Sequence, residues 1–598
     1  MNIPGRDKPA AVTALVLIII AGFAVYLNSL GGEFLWDDIH FIKNNVYLRS
    51  WSHLPEIFTR DVAAGSGERY HYYRPLTIFT YLIDHTLWGL DARGYHLANI
   101  LYHVLTALSV YFLVELLFRD RLLSFLTGLL YVIHPITTET VAYISGRPDS
   151  LCAFFMLACF ILYIKYLDRG GATTYILIIA TYICAVLSRE NCIVLPALLL
   201  LYHLTFKRKL RIKPFLPIAA IAGAYILLRL YFMDPAAAPT TLSQRTPGFF
   251  AAIAGYCRLI LLPFDLHQEY GPQLFRFHDG RAIAGIVIVT FAFVTCLLLA
   301  VKRRAAPRGE TTGTGGGTLV IFSILWFFIS LLPVSGIYPI AAYMAEHWLY
   351  VPSIGLFLLL SYGLCSLYRA RGLRTVSVIC MAGLAVFYGA STIRQNSYFK
   401  DPLTFFERTL KYSPGSARIH NNLGIKYFES GRIDEGMARF KKAIEIDPRY
   451  PEAYNNLGHV YYTMGRNDEA QNLFVKATEL NPSYANAYCN LGVLYVNTGK
   501  SDEALEHFSK AAELNPLDAD AFFNLGLACR MTGRDGEAAS AFDRVLQLNP
   551  DYGPAHRQLA LLYSDADRHD EADRHSRRAL ELGFPVDQGA CAAGDEAQ

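Results

Sequence analysis

The chain has 598 residues, of which 53% are apolar and 18% charged, and its formal net charge is +3. That balance excludes a disordered chain, a collagen and a small disulfide scaffold, and it argues against a purely soluble protein. The net charge also hides two unlike halves: residues 1–400 hold 33 basic and 21 acidic residues, and residues 401–598 hold 21 and 30.

The first half is a series of apolar runs. A run of about 20 apolar residues spans a bilayer as a helix. Eleven such runs fall near 10–30, 95–118, 121–142, 149–167, 173–189, 191–206, 214–233, 281–301, 318–338, 347–368 and 373–393. The shorter stretch 248–263, flanked by Pro247 and Pro263, reads as an interfacial or re-entrant helix. The first run is long and has no small-residue cleavage site, so it reads as an anchor. Short basic clusters separate the runs: Arg6 and Lys8, Arg119 and Arg121, Lys165 and Arg169, Lys207 to Lys213, Lys302 to Arg308, and Arg369 to Arg374. This is the pattern of cytoplasmic loops, and it argues against nucleic acid as the partner. With the N-terminus inside, the opposite side receives 31–94, 143–148, 234–280, 339–346 and everything after 394. That side is periplasm, cell exterior or ER lumen. The eleven cysteines are scattered without a C-x-x-C pair and give neither a zinc site nor a disulfide framework.

The first outside loop, 31–94, opens with F-L-W-D-D, which includes Asp37 and Asp38. Ionisable groups at an apolar boundary are costly to hold and are functional candidates. One of the pair can act as general base toward a hydroxyl; the two together can hold a cation. Arg74 follows in Y-H-Y-Y-R-P-L. The segment H-P-I-T-T-E-T-V-A-Y-I-S-G-R-P-D-S supplies His134, Glu139, Arg147 and Asp149. L-S-R-E-N supplies Arg189 and Glu190, Arg229 lies in the seventh span, and A-E-H-W-L-Y supplies Glu346 and His347. Most of these groups collect at the outer face, which predicts a polar cavity open to the outside and to lipid. Arginines at that depth suit a phosphate. Structural roles compete with these readings. His134 before Pro135 can shape a turn, Arg147 can pair with Asp149, Arg189 and Glu190 can mark a helix end, and Arg229 can pair with a carboxylate.

The second half repeats with a period of 34. Pro414, Pro448, Pro482, Pro516 and Pro550 keep that spacing, as do Gly424, Gly458, Gly492 and Gly526, and Phe440, Phe474, Phe508 and Phe542. A 34-residue helix–turn–helix unit with small residues at the packing points is identified as the tetratricopeptide repeat (TPR). A half-repeat at 401–416 precedes full repeats 417–450, 451–484, 485–518 and 519–552. A degenerate fifth, 553–586, has Ala560 and Asp567 for the glycines and Ser576 for phenylalanine. The tail 587–598 reads as disordered.

The whole combination resembles the transmembrane-and-TPR O-mannosyltransferases and their bacterial relatives, which are C-type membrane glycosyltransferases. The segments that carry the resemblance are F-L-W-D-D-I-H-F-I-K-N-N, Y-R-P-L, H-P-I-T-T-E-T-V-A-Y-I-S-G-R-P-D, L-S-R-E-N and L-L-P-V-S-G-I-Y-P-I-A-A-Y-M-A-E-H-W-L-Y-V-P-S-I-G, followed by S-Y-F-K-D-P-L-T-F-F-E at the entry to the repeats. It implies an all-α chain: a GT-C-type membrane bundle of about eleven spans over 1–394, then a TPR solenoid over 395–586. It implies transfer of a sugar, mannose in the eukaryotic members, from a polyprenyl-phosphate donor to serine or threonine of a secretory protein. Its acidic motif maps onto Asp37 and Asp38, with Asp37 as base and Asp38 as its orienting partner, or the reverse. Arg74, Arg147 and Arg229 become candidates for the donor phosphate, with His134, Glu139, Asp149, Glu190, Glu346 and His347 lining the cavity. No cofactor is required, although the paired acids do not exclude a divalent metal. The chain departs from the family in having Arg189 where lysine is common and in its short repeat array.

Asn422, Asn456, Asn490 and Asn524 precede the leucine of each N-L-G, with Gln558 in the fifth repeat. Such a ladder can hold an extended peptide by its backbone, as in the repeat-bearing O-GlcNAc transferases it resembles, or can serve local packing. The partners expected are therefore a lipid-linked sugar, a protein acceptor in the TPR groove and the bilayer. A membrane-anchored TPR scaffold and a lipid-sugar transporter are the rival readings.

Overall fold

The computed structural model describes residues 8–67, 70, 72–232, 241–271, 273–305, 315–337 and 342–586. The expected disordered tail 587–598, Arg6, residues 306–308 of one basic cluster, and parts of the outside segments 234–280 and 339–346 lie outside the described residues. Every regular element among the described residues is a helix, so the chain is all-α as expected. By contacts it divides into two units, with the main break between Ser413 and Pro414.

The first unit is the apolar one. Seven of its helices are long and apolar enough to cross a membrane: Pro9–Gly31, Ala92–Phe118, Ile144–Arg169, Ile212–Arg229, Gly280–Arg303, Gly316–Val334 and Arg374–Phe399. An eighth crossing is available if the bent pair Arg121–Ile133 and Pro135–Ala142 counts as one span. The bend of 53° falls at His134–Pro135, where proline lacks a backbone donor and disfavours helix in the residue before it. The remaining three predicted runs are the shorter apolar helices Ala172–Ser188, Glu190–Thr205 and Ser353–Arg369. The stretch expected to be interfacial lies in the helix Leu242–Leu261, which is not among the membrane-length helices.

Short polar signals set the helix starts. The Asp91 carboxylate accepts from the Arg93 amide at 3.1 Å, and Asp120 accepts from Leu123 at 3.2 Å, each meeting an amide the helix leaves bare. Inside the bundle, Phe160 stacks on Trp326 with ring centres 6.0 Å apart. The helix around Gly280–Arg303 differs from the rest, because only 11% of its apolar window is buried against the protein.

The half-repeat forms the helix Pro402–Tyr412, and its contacts group it with the first unit. Its Phe405 and Phe406 meet the Trp36 ring edge-on at 6.0 and 5.8 Å.

The second unit is a stack of five helix pairs, from Ala417–Glu429 with Ile433–Ile446 to Gly553–Asp565 with His569–Glu581. One rule of packing repeats along it. A Cβ added at Gly424, Gly458, Gly492 or Gly526 would come within 2.5–2.8 Å of the Phe440, Phe474, Phe508 or Phe542 ring. Glycine is therefore the seat of the phenylalanine. In the fifth repeat both members change together: Ser576 brings no ring, and Ala560 fits with its methyl buried.

Candidate active site and repeat groove

The two adjacent aspartates stand in different surroundings. Asp38 is fully buried. One carboxylate oxygen accepts from the Leu35 amide at 2.8 Å; the other accepts from the Ser145 amide at 2.8 Å and from the Ser145 hydroxyl. Burial pushes the Asp38 carboxyl up to about 7, opposed by the Ser145 and Leu35 hydrogen bonds and reinforced by the neighbouring Asp37 charge. Asp37 is only half-buried. Its amide donates to the Tyr143 hydroxyl at 2.9 Å, and its carboxylate is also bonded to that hydroxyl. Between Leu35 and Asp37, Trp36 has φ +36°, a conformation that costs a bulky residue about 1–3 kcal/mol. The hydrogen bonds of Asp38 and the aromatic contacts of Trp36 hold it there. Both Asp38 oxygens thus accept hydrogen bonds from the chain itself.

Two guanidiniums meet on Glu190. Arg74 donates to it twice, from Nη2 at 3.0 Å and Nε at 3.3 Å, and Arg229 reaches it at 3.4 Å. Arg189 pairs with Asp149, and Asp149 is also within electrostatic reach of Arg74, His347 and Glu139. The groups around Glu190 and Asp149 form one polar region, and Tyr81 lies within electrostatic reach of Arg147, Asp38, Asp84 and Arg74. On its far side Glu139 accepts from the His347 amide at 3.0 Å and from Gln268 at 2.8 Å, and it pairs with the His347 ring. Glu346 accepts from the His267 amide at 2.6 Å and the Tyr270 hydroxyl at 2.7 Å. Burial first, then the nearby Glu139 carboxylate, raises Glu346 well above the carboxylate range.

Two predicted residues stand apart. Arg147 is fully buried and its donors are committed, to Asp84 at 2.6 Å, Asn99 at 2.7 Å, the Tyr95 carbonyl at 3.0 Å and Thr80 at 3.2 Å. Its ion-pair partner is Asp84, not Asp149. His134 is the turn-former: it accepts from the Ile136 amide at 3.1 Å, and its Nε2 bonds the Ile260 carbonyl at 2.9 Å. It does not line the polar region. Tyr143 and Ser145, which grip the aspartates, lie inside the segment that supplied Glu139 and Arg147. A tyrosine and a serine in an apolar chain gave no signal of their own.

In the second unit the asparagine ladder is largely self-satisfied. Asn490 donates to Asn455 at 2.8 Å, and Asn456 donates to Asn421 at 2.9 Å. Asn421 and Asn455, the first asparagines of each N-N-L-G, were the missed half of the ladder, and both are buried. Asn421 in turn donates to Asn422 at 3.3 Å. The pattern stops at Cys489, which has no amide to offer, and Asn524 has no hydrogen-bond partner among the described residues. Asn524 faces a concavity of about 280 Å³ with Asn456, His459, Asn490, Asp518 and Asp520.

The comparisons with known proteins follow the same division. Residues 75–232 match the family described as dolichyl-phosphate-mannose-protein mannosyltransferase, and residues 398–587 match the C-terminal domain of cilia and flagella-associated protein 70, a TPR-type domain. A protein O-mannosyl-transferase of Caenorhabditis elegans is 28% identical over 451 residues, covering 71% of this chain and 61% of its own. Mouse TMTC3 is 27% identical, covering 69% of this chain and 48% of its own, and human TMTC2 is 27% identical, covering 70% and 60%. The chain thus spans about half to three-fifths of the length of these curated relatives. Among solved structures, the TPR protein YrrB is 24% identical over 30% of this chain and 91% of its own, with a TM-score of 0.26. With a mannosyltransferase-type first part, a TPR-type second part and relatives aligned along about 70% of its length, the chain is similar to the transmembrane-and-TPR O-mannosyltransferases.

Proposed function

We propose that the protein is an integral-membrane glycosyltransferase that moves mannose from a polyprenyl-phosphate donor to serine or threonine hydroxyls of exported proteins. The observations that carry this reading are the half-exposed Asp37 held on Tyr143 and, separately, the two guanidiniums of Arg74 and Arg229 drawn together on Glu190. The names of the relatives, all protein O-mannosyl-transferases, support it. Asp37 takes the proton of the acceptor hydroxyl as the oxygen attacks the sugar carbon. The bond from that carbon to the phosphate oxygen breaks, and the lipid phosphate leaves with the electron pair. A phosphate leaving group needs charge stabilisation more than a proton. Arg74 and Arg229 supply it, with Arg189 behind them, and fixed charges in a dry site are worth several kcal/mol. Glu190 sets the spacing of the two guanidiniums. Asp38 holds the loop and does not itself reach the acceptor. The reaction calls for no cofactor.

In this reading the N-terminus is cytoplasmic and the repeats lie on the outer side, in the periplasm or ER lumen. The groove receives the acceptor around Asn524, Asp518 and Asp520. The amides of Asn456 and Asn490 are already engaged with the neighbouring repeat, so in this reading recognition centres on Asn524 within a concavity that runs from the second to the fourth repeat.

The test is transfer of radiolabelled mannose from polyprenyl-phosphate mannose to serine- and threonine-containing peptides by the full chain in nanodiscs. Label on the peptide with the parent, and none with Asp37→Asn, is the expected result. Peptide binding without transfer from any lipid-linked sugar would overturn the enzyme reading in favour of a scaffold.

A further inference from the structure

We infer that Asn99 is a positioning residue for the aspartate pair, acting through the turn Val141 to Ser145. The inference rests on the proposed role of Asp37. Asn99 lies on the membrane-length helix Ala92–Phe118 and is fully buried. Its Nδ2 is 3.3 Å from the Val141 carbonyl oxygen and 3.2 Å from those of Tyr143 and Ile144. Two amide hydrogens thus serve three acceptors. The orientation of the amide is dictated from behind. Its Oδ1 accepts from Arg147 Nε at 2.7 Å, and a guanidinium has only donors, so the NH₂ must face the carbonyls. Arg147 is itself fixed by Asp84, Thr80 and the Tyr95 carbonyl. Tyr81 adds a bond from its hydroxyl to the Ile144 carbonyl at 2.9 Å.

The turn that Asn99 holds is the one that holds the acids. Tyr143 and Ser145 alternate with the gripped carbonyls, and they bind Asp37 and Asp38 respectively. Buried backbone carbonyls are costly unless a donor meets them. Here one side-chain amide satisfies three of them. The chain of contacts therefore runs from Arg147 to Asn99, to the turn, to both aspartates. This gives the buried Arg147 a part in the site without any contact with substrate.

The experiment uses the full chain in nanodiscs with Asn99→Asp, which keeps the shape but turns a donor into an acceptor. Transfer kinetics and amide hydrogen exchange are read together. The expected result is a fall in kcat of about 100-fold, the scale of an ångström's misplacement of a reacting group. KM for the lipid donor stays within about twofold, because the arginine cluster is untouched. Exchange at 34–38 and 143–146 rises at least tenfold, with 104–118 unchanged. Added to a Tyr143→Phe, Ser145→Ala background, Asn99→Asp costs little more, since the three act in series. If Asn99→Asp does not fold, Tyr81→Phe removes one bond to the same turn and produces the same pattern at about three- to tenfold. Additive losses, or unchanged exchange at 34–38, overturn the inference. A parent that transfers nothing defeats the proposed reaction instead, and the exchange data still decide whether Asn99 holds the acids in place.

Discussion

Asp38→Asn should reverse its effect on stability with pH. In the folded protein burial raises the Asp38 carboxyl from its ordinary 3.8 to about 7. Between those values the folded state keeps a proton that the unfolded state has lost. The group's contribution is therefore fully present below about pH 4 and is lost as pH rises through 7. A shift of about 3 units corresponds to the order of 4 kcal/mol by the alkaline end. Asparagine carries no such dependence, but its NH₂ must face one of the amide donors that Asp38 now accepts from. That leaves a buried donor unmet, at a cost of about 1–3 kcal/mol at every pH. The variant should thus be less stable than the parent at pH 4 and equal to it or more stable at pH 8. The assay is the midpoint of thermal unfolding in nanodiscs at several pH values from 4 to 8.5, parent and variant side by side. A difference that stays constant across that range would refute the argument, because it would mean that Asp38 is ionised in the folded state throughout.

The other expectations are simpler. Asp37→Asn should lower transfer by about 10²–10⁴-fold, the range for losing a general base, with donor binding unchanged in an equilibrium binding assay. Gly146→Ala should prevent the turn from closing, because its Cβ would meet the Glu139 carbonyl oxygen at 2.5 Å and the Thr140 carbonyl oxygen at 2.9 Å; a loss above about 3 kcal/mol, read as failure to accumulate in the membrane, is expected. Asn456→Ala should destabilise the repeats by about 1 kcal/mol and leave peptide affinity nearly intact, whereas Asn524→Ala should weaken peptide binding at least threefold and leave the melting of the repeats unchanged. Arg229→Ala should lower kcat more than it raises KM for the donor, because the charge it meets on the leaving phosphate develops in the transition state, while Arg74 stays on Glu190.

The repeats were fully legible because their signals are covalent in register: glycine needs room for phenylalanine 16 residues on, and both recur with the period. The apolar runs were legible for a similar reason, since length and hydropathy are all that a bilayer asks of a helix. The site was half legible. Charged residues in an apolar chain announce themselves, and Arg74, Glu190 and Arg229 do come together. What a sequence cannot show is which way a charge is turned. Arg147 and Arg74 look alike in their motifs, yet one is closed in by Asp84 and Asn99 and the other opens toward Glu190. Asn99 was invisible, since a single asparagine in a long apolar helix declares nothing until its three carbonyls are seen. The asparagine ladder misled for a related reason: its period is real, but its hydrogen bonds run between repeats.

The helix that buries only 11% of its apolar window against the rest of the protein has a different kind of sequence constraint from its neighbours. A helix such as Ala92–Phe118 is read by side chains of fixed shape, and a Leu-to-Ile change there must find a hole that fits. Along Gly280–Arg303 most of the apolar outline meets no side chain among the described residues, and acyl chains, the surroundings a bilayer would supply, flow around any apolar outline. That helix is held to a length and a polarity and to almost no shape, so it should drift freely among leucine, isoleucine, valine and phenylalanine while the site-bearing helices stay fixed. It is also the element most exposed to its solvent: a thinner bilayer, or a detergent with shorter chains, acts on it directly and on the aspartate pair only at second hand.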